Sequence, residues 1–265
     1  MYKVLFFMLV CFNASAQKND LYVVYNQIFD YSKPIERTAF LYADDSGSLY
    51  EDDMLTQHKQ AVIDNEKWQK EQDKINADSN SKSFRFISEV KHNTFYKFNR
   101  DSNTVQFIQP VIKDRYALIT DNVQQNWKLS QEKKVISGIE CFKATTRFRG
   151  VDWEAWYAPS VPYPYGPWKL HGLPGLIIEA QDVNKRTNYT AVKIEFQKND
   201  KLNKDLSSLV TVTIADKVTM QQFVAMRDEI VSQPLSTDRE TTVKREVKKR
   251  FGAELIYEWE EEKKQ

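Results

Sequence analysis

Cysteine is almost missing from this chain. Of two in 265 residues, Cys11 lies in the first apolar run and Cys141 stands alone after it. No intramolecular disulfide is then available to the mature chain, which must hold together by burying a core. Histidine is equally scarce: His58, His92 and His171 include no pair at metal-ligating spacing, so no metal or other cofactor is expected. Glycine-rich phosphate loops and dinucleotide fingerprints are absent, and neither Ser137 nor Ser160 sits in a G-x-S-x-G elbow. No catalytic residue is nominated, and a hydrolase, which would need residues gathered from afar, ranks last among the functions considered. Past the first apolar run nothing approaches the ~20 apolar residues of a membrane-spanning helix. An excess of one charge is lacking too. The whole chain carries a formal +1, which disappears with Lys3, so no concentrated basic face offers itself to nucleic acid.

The first 16 residues have three zones: Lys3, an apolar run over 4–12, and Asn13-Ala14-Ser15-Ala16 with small residues that suit signal peptidase. This is the layout of a cleaved secretory signal, and it places the mature chain, from Gln17 to Gln265, in the periplasm or outside the cell. Leu9 and Val10 before Cys11 do not fit a lipoprotein signal.

What remains reads as one mainly β (α+β) domain: a curved antiparallel sheet or half-barrel of consecutive hairpins, with an inserted helix and two C-terminal helices. Residues 21–31 are rich in β-branched and aromatic side chains and predict the first strand. Runs at 38–43 and 48–52 flank Asp44-Asp45-Ser46-Gly47, a hairpin turn in which Gly47 supplies positive φ. An EF-hand would need glycine at its sixth position, where this chain has Leu49. Residues 54–77 turn polar, with Ala61, Trp68 and Ile75 spaced by sevens, which predicts a surface helix inserted over 54–80. Strands are then expected at 84–90, 94–99, 104–108, 116–120, 126–129, 140–157, 190–196 and 209–214, joined by links short enough to force antiparallel pairing. Within 140–157, Phe142, Ala144, Thr146 and Phe148 fall on the core face and Cys141 on the other, a passive thiol. Thr219 with Gln222 forms a capping box opening one helix, and Thr237 with Glu240 opens a terminal helix over 237–265. The basic stretch 244–250, interleaved with Val243, Val247 and Phe251, reads as its solvated side.

Five of the eight prolines and three of the seven glycines lie between Pro159 and Gly175, beside Trp153, Trp156 and Trp168. Prolines fix φ and withhold amide donors, so this stretch cannot be an inner strand and must run as a stiff edge or crossing ribbon. Tyr163 and Tyr165 alternate with them. Gly172, Pro174 and Gly175 then make a tight turn into Leu176-Ile177-Ile178, expected as a buried strand.

The hexapeptide Gly172-Leu173-Pro174-Gly175-Leu176-Ile177, preceded by Gly166-Pro167-Trp168, resembles the signature of the GLPGLI family of secreted Bacteroidota proteins. Residues 138–144 and 153–158 resemble the family's strands before the motif. The resemblance implies a signal-bearing, β-rich envelope protein, often encoded near outer-membrane transport genes, and brings no catalytic residues with it.

Two functions lead. The first is a non-enzymatic binding or carrier protein whose concave sheet holds an apolar ligand or peptide, with Trp156, Tyr163, Tyr165, Trp168, His171 and Leu173 at the site. The second is an interaction partner of an outer-membrane transport complex, docking through the proline-stiffened edge. A cavity of several hundred cubic ångströms favours the first, and a filled interior with exposed aromatics the second. The bland alternative is that Trp153, Trp156 and Trp168 merely seal a sheet.

Overall fold

The computed structural model describes residues 20–31, 34–76, 85, 87–112, 114–232, 250 and 252–261. The expected signal sequence, the polar break at 77–83 and the capping box of Thr237 and Glu240 lie outside them.

Alternating apolar runs become twelve strands: β1 (Leu21–Asp30), β2 (Pro34–Ala43), β3 (Gly47–Asp52), β4 (Thr94–Asn99), β5 (Thr104–Ile112), β6 (Arg115–Asn122), β7 (Lys128–Ile136), β8 (Ile139–Phe148), β9 (Val151–Ala158), β10 (Leu176–Asp182), β11 (Thr187–Phe196) and β12 (Ile214–Thr219). Helix α1 (Met54–Ile75) interrupts them after β3, and α2 (Met220–Ser232) and α3 (Glu258–Glu261) close the chain. All strands form one open, curved sheet in the order β12-β6-β5-β4-β3-β2-β1-β11-β10-β9-β8-β7. Two up-and-down meanders, β1 to β6 and β7 to β11, are thus joined where the first strand pairs the eleventh. Short links dictate this antiparallel pairing. Arg149-Gly150 and Ser137-Gly138 connect their strands with φ values of 47° and 78°, and 50° and 82°, the positive pair of a type I′ hairpin turn.

One pairing departs from expectation. Strand β12 runs parallel to β6, which the long connection over 197–213 permits. That connection also replaces the strand expected at 209–214. Leu209, Val210 and Val212 pack with Leu202 and Leu206 onto Tyr42, Leu49, Phe95 and Ile108, forming a second core on the outer face of the sheet. Residues 85 and 87–90 are not a strand either: β3 pairs directly with β4, which leaves no edge for a strand between them. The main core lies on the inner face and includes Tyr25, Tyr50, Trp153, Tyr165 and Ile177.

Helix α1 begins at Asp53, whose side chain accepts the Thr56 amide, and none of its residues is buried, as its thin apolar stripe predicts. The capping box before α2 is formed reciprocally: Thr219 Oγ1 accepts from the Gln222 amide at 3.3 Å, and Gln222 Oε1 from the Thr219 amide at 2.9 Å. Of the terminal helix expected over 237–265, residues 237–249, 251 and 262–265 lie outside the described residues; 252–257 are bends and irregular backbone, because the amides of Leu255 and Ile256 both donate to the Arg149 carbonyl instead of to their own turn. In the turn from β2 to β3, Asp44 Oδ1 accepts from the Ser46 and Gly47 amides. Gly47 has no positive φ. A Cβ there would lie 2.1 Å from the Phe98 carbonyl oxygen, so close approach is what demands glycine.

Candidate functional site

The proline ribbon is built from carbonyls. Its prolines donate nothing, but Val161 O accepts from the Leu176 amide at 2.9 Å and Tyr165 O from the Ile177 amide at 3.0 Å. These bonds matter because β10 pairs β11 only from Glu179 onward, so the ribbon satisfies the strand where its neighbour departs. Tyr25, at the centre of β1, donates its hydroxyl to the Ile177 carbonyl at 2.6 Å, and Leu176, Ile177 and Ile178 are fully buried. The ribbon then turns back, Gly172 N donating to Pro164 O, and sets Trp168 in the left-handed region at φ 58°. A bulky residue held there marks local strain, which tends to collect at functional positions.

Trp168 forms part of the wall of a 680 Å³ cavity on the inner face. Tyr50, Tyr96 and Tyr189 rise from the sheet to line it, and Arg227 of α2 with Glu254 and Tyr257 of the terminal segment covers it. A second cavity of 220 Å³ shares Tyr96, Gln109, Arg227, Glu254 and Tyr257 with the first, so the two meet beneath α2. Polar order runs along one side. Tyr50 donates its hydroxyl to Gln27 Oε1 at 3.0 Å, the Gln27 amide donates to Asp52 at 2.6 Å, and Arg37 donates to the other Asp52 oxygen at 3.0 Å.

Burial pushes the Asp52 carboxyl up to about 6, against the lowering pull of Arg37 and the Gln27 amide. A carboxyl whose folded pKa lies above its unfolded 3.8 stabilises the fold fully at low pH and loses that contribution as pH rises through about 6. Compared with Asp52→Asn, the wild type is therefore expected to gain about 2.4 kcal/mol of stability between pH 7.5 and pH 4. Urea unfolding at a series of pH values measures it; parallel stability curves for the two proteins would refute the assignment.

Four segments converge at the base of the cavities in a buried ionic network. Arg149, in the β8–β9 turn, grips both Asp121 oxygens at 2.7 and 2.8 Å. Lys169, inside the ribbon, donates to Asp121 at 2.8 Å and to Glu254 at 2.9 and 3.1 Å, and Arg149 also pairs Glu254 and Glu258. The side chains of Asp121, Arg149 and Lys169 are each 1% exposed. Although burial alone would raise Asp121, Lys169 and Arg149 hold its carboxyl below the usual range. Sequence reading passed over this network because its members are 28, 48 and 85 residues apart in pairs. The one local sign was a lysine set between Trp168 and Leu170.

The six residues nominated from sequence do not gather in one place. Trp168 lines the larger cavity; Tyr163, Tyr165, His171 and Leu173 are buried in the core and line neither it nor its neighbour. Tyr163 faces Phe196, and Tyr165 donates its hydroxyl to the Asp44 carbonyl at 3.0 Å. Trp156 pairs in register with Lys143 and lies under the ammonium of Lys134 at 4.4 Å, away from the cavity. The His171 ring packs on Phe98 at 4.1 Å, and its nitrogens meet the backbone carbonyls of Lys169 and Val123 while burial lowers its pKa. Cys141 is fully buried, and burial pushes its thiol up to about 11, an inert setting. Of the motif residues, Gly166 passes close to Ile177, Pro167 O closes a turn with the Leu170 amide, and Gly172, Pro174 and Gly175 form the corner before β10.

No family model and no curated protein sequence matches this chain. Among solved structures, PNGF-II in two crystal forms matches with TM-scores of 0.50 at 17% and 18% identity, over 79% and 78% of this chain. Only 32% and 33% of those chains are covered, so this chain spans about a third of the length of PNGF-II. An uncharacterized conserved protein from Thermus thermophilus matches over 76% of this chain and 91% of its own, at a TM-score of 0.37 and 8% identity. What the chain shares with PNGF-II is a fold: the curved sheet of hairpins that carries the cavity.

Proposed function

We propose that this chain is a GLPGLI-family protein of the cell envelope that works as a non-enzymatic binding or carrier protein, enclosing a ligand with a substantial apolar part. One observation carries the reading: a 680 Å³ cavity between the inner sheet face and the α2 cover, within the ~300–1,000 Å³ of typical ligand sites. Its walls combine aromatic rings with charged side chains held in ion pairs, such as Asp52 with Arg37 and Asp228 with Arg250. Docking to an outer-membrane partner through the ribbon is less well supported, since Tyr163, Tyr165 and Leu173 are buried and offer no apolar surface to a partner. Hydrolysis would need a nucleophile and base in the cavity, and His171 and Cys141 are placed elsewhere. No helix among the described residues is long and apolar enough to cross a membrane.

Ligand entry is expected to change the fluorescence of Trp168 saturably, with one site per chain, in titrations with dodecyl-chain amphiphiles. Ala253→Trp, which fills the cavity from its cover, is expected to weaken binding at least ~10-fold, about 1.4 kcal/mol, while leaving the circular dichroism spectrum intact. A protein that binds no chain length, and emerges ligand-free in native mass spectrometry from its own envelope, would sink the proposal.

A further inference from the structure

Among the charged side chains around the joined cavities, one cation has no carboxylate to itself. Arg37, Arg227, Arg250 and Lys169 line them alongside Asp52, Asp228 and Glu254, and Arg250 is also paired by Glu260 and Lys169 by Asp121. Each carboxylate is engaged: Asp52 by Arg37 at 3.0 Å, Asp228 by Arg250 at 2.7 Å, and Glu254 by Lys169 at 2.9 Å. The remaining cation is Arg227, which forms no ion pair among the described residues and rests its guanidinium 5.9 Å from the ring of Phe223, one turn back on α2. It stands where the two cavities meet, a wall of both.

Two neutral hydrogen-bonding side chains flank it there. Gln109 lines both cavities, and so does Tyr257, whose phenol burial raises above its ordinary value. A guanidinium with a fork of donors, beside an amide and a neutral hydroxyl, suits an oxyanion. Glu254 shares the junction, where it is engaged in ion pairs with Lys169 and Arg149. Phe29, Tyr50, Trp168 and Tyr189, with Met54 and Val231, also line the larger cavity and give an apolar tail surfaces to lie against.

We infer that the ligand is an anionic amphiphile, its carboxylate or phosphate head held by Arg227 at the cavity junction and its tail lying against Trp168 and the tyrosines of the sheet. This rests on the cavity reading above and deepens it. The tail accounts for the volume, and the head gives Arg227 the anionic partner it does not have among the described residues.

Four probes with one tail separate the two readings: dodecyl phosphate, dodecanoate, dodecyl maltoside and dodecyltrimethylammonium, titrated by tryptophan fluorescence into the wild type, Arg227→Gln and Arg227→Lys. Wild type is expected to bind the two anions at least ~10-fold tighter than the neutral probe, the weight of a charge-assisted hydrogen bond. The phosphate and carboxylate arms, ranked against each other, tell which head fits better. In Arg227→Gln the anions are expected to lose ~10- to 100-fold and the maltoside to keep its affinity, and Arg227→Lys is expected to restore part of the loss. Equal weakening of all probes in Arg227→Gln, or no preference for anions in wild type, overturns the assignment of the head while leaving the cavity reading in place. Failure of all four probes to bind wild type overturns both.

Discussion

Asp121→Asn is expected to lower the free energy of unfolding by about 3–5 kcal/mol, the cost of breaking a buried ion pair from one side. The substitution keeps the shape of the side chain and removes the carboxylate shared by two cations, Arg149 and Lys169, whose side chains are each 1% exposed. Water cannot take over, so both cations are left to Glu254 and the half-exposed Glu258. Urea denaturation gives the change directly. A cycle with Lys169→Met tests the cause, because the double variant also removes the stranded ammonium and is expected to fall short of the summed single effects by about 0.5–3 kcal/mol. A loss under ~1 kcal/mol, the scale of an exposed pair, would show that the network is not closed to solvent.

The same network bears on function. Asp121 ends β6, Arg149 turns β8 into β9, Lys169 belongs to the ribbon and Glu254 to the cover. The cover is thus tied at its base to both meanders, and the Arg149 carbonyl holds the Leu255 and Ile256 amides above the same point. Tyr257, packed beneath the Arg149 and Arg250 guanidiniums at 5.0 Å each, joins that anchor to the cavity wall. Loosening it in Asp121→Asn is therefore expected to weaken amphiphile binding along with stability, although Asp121 lies outside both linked cavities.

How much of this was legible beforehand follows from the range of each interaction. Strands with alternating apolar residues, as in 21–30 and 94–99, declare themselves locally because side chains alternate faces with period two. Capping at Thr219 and the hairpin at Asp44 are local as well. The parallel strand β12 was not legible, since its partner β6 lies about a hundred residues away and nothing in 209–219 distinguishes pairing from cover. The strand expected at 84–90 failed over its described residues, 85 and 87–90, for the opposite reason: the alternation is real, but β3 and β4 already satisfy each other. The ribbon's departure from strand pairing was legible in its prolines, yet its aromatics were expected at a rim. Most of them instead fill the core behind it, because the ribbon's carbonyls pull it down onto β10. The cavity walls come from Tyr50, Tyr96 and Tyr189 on three separate strands, a convergence that only the curved sheet creates.

The two glycines of the hexapeptide make different demands, and their alanine variants are expected to differ accordingly. At Gly172, φ is 89° and a Cβ would meet nothing within 4 Å, so Gly172→Ala carries backbone strain alone, about 1–3 kcal/mol. At Gly175, φ is 150° and a Cβ would lie 2.2 Å from the Ala158 carbonyl oxygen, 2.6 Å from its carbon and 2.9 Å from the Pro159 Cα. Those atoms are backbone, fixed by the β9–β10 pairing of Ala158 with Leu176, and cannot rotate aside. Gly175→Ala must therefore displace the start of β10 from the ribbon and give up the Leu176 and Ile177 amide bonds. Its expected loss exceeds ~4 kcal/mol, at the extreme of single substitutions, and soluble yield is expected to collapse. Gly172→Ala stays folded and provides the measurable arm: a midpoint in urea shifted by its strain alone. If Gly172→Ala proves as damaging as Gly175→Ala, the corner is held by conformation rather than by contact with β9, and the packing described for the motif is wrong.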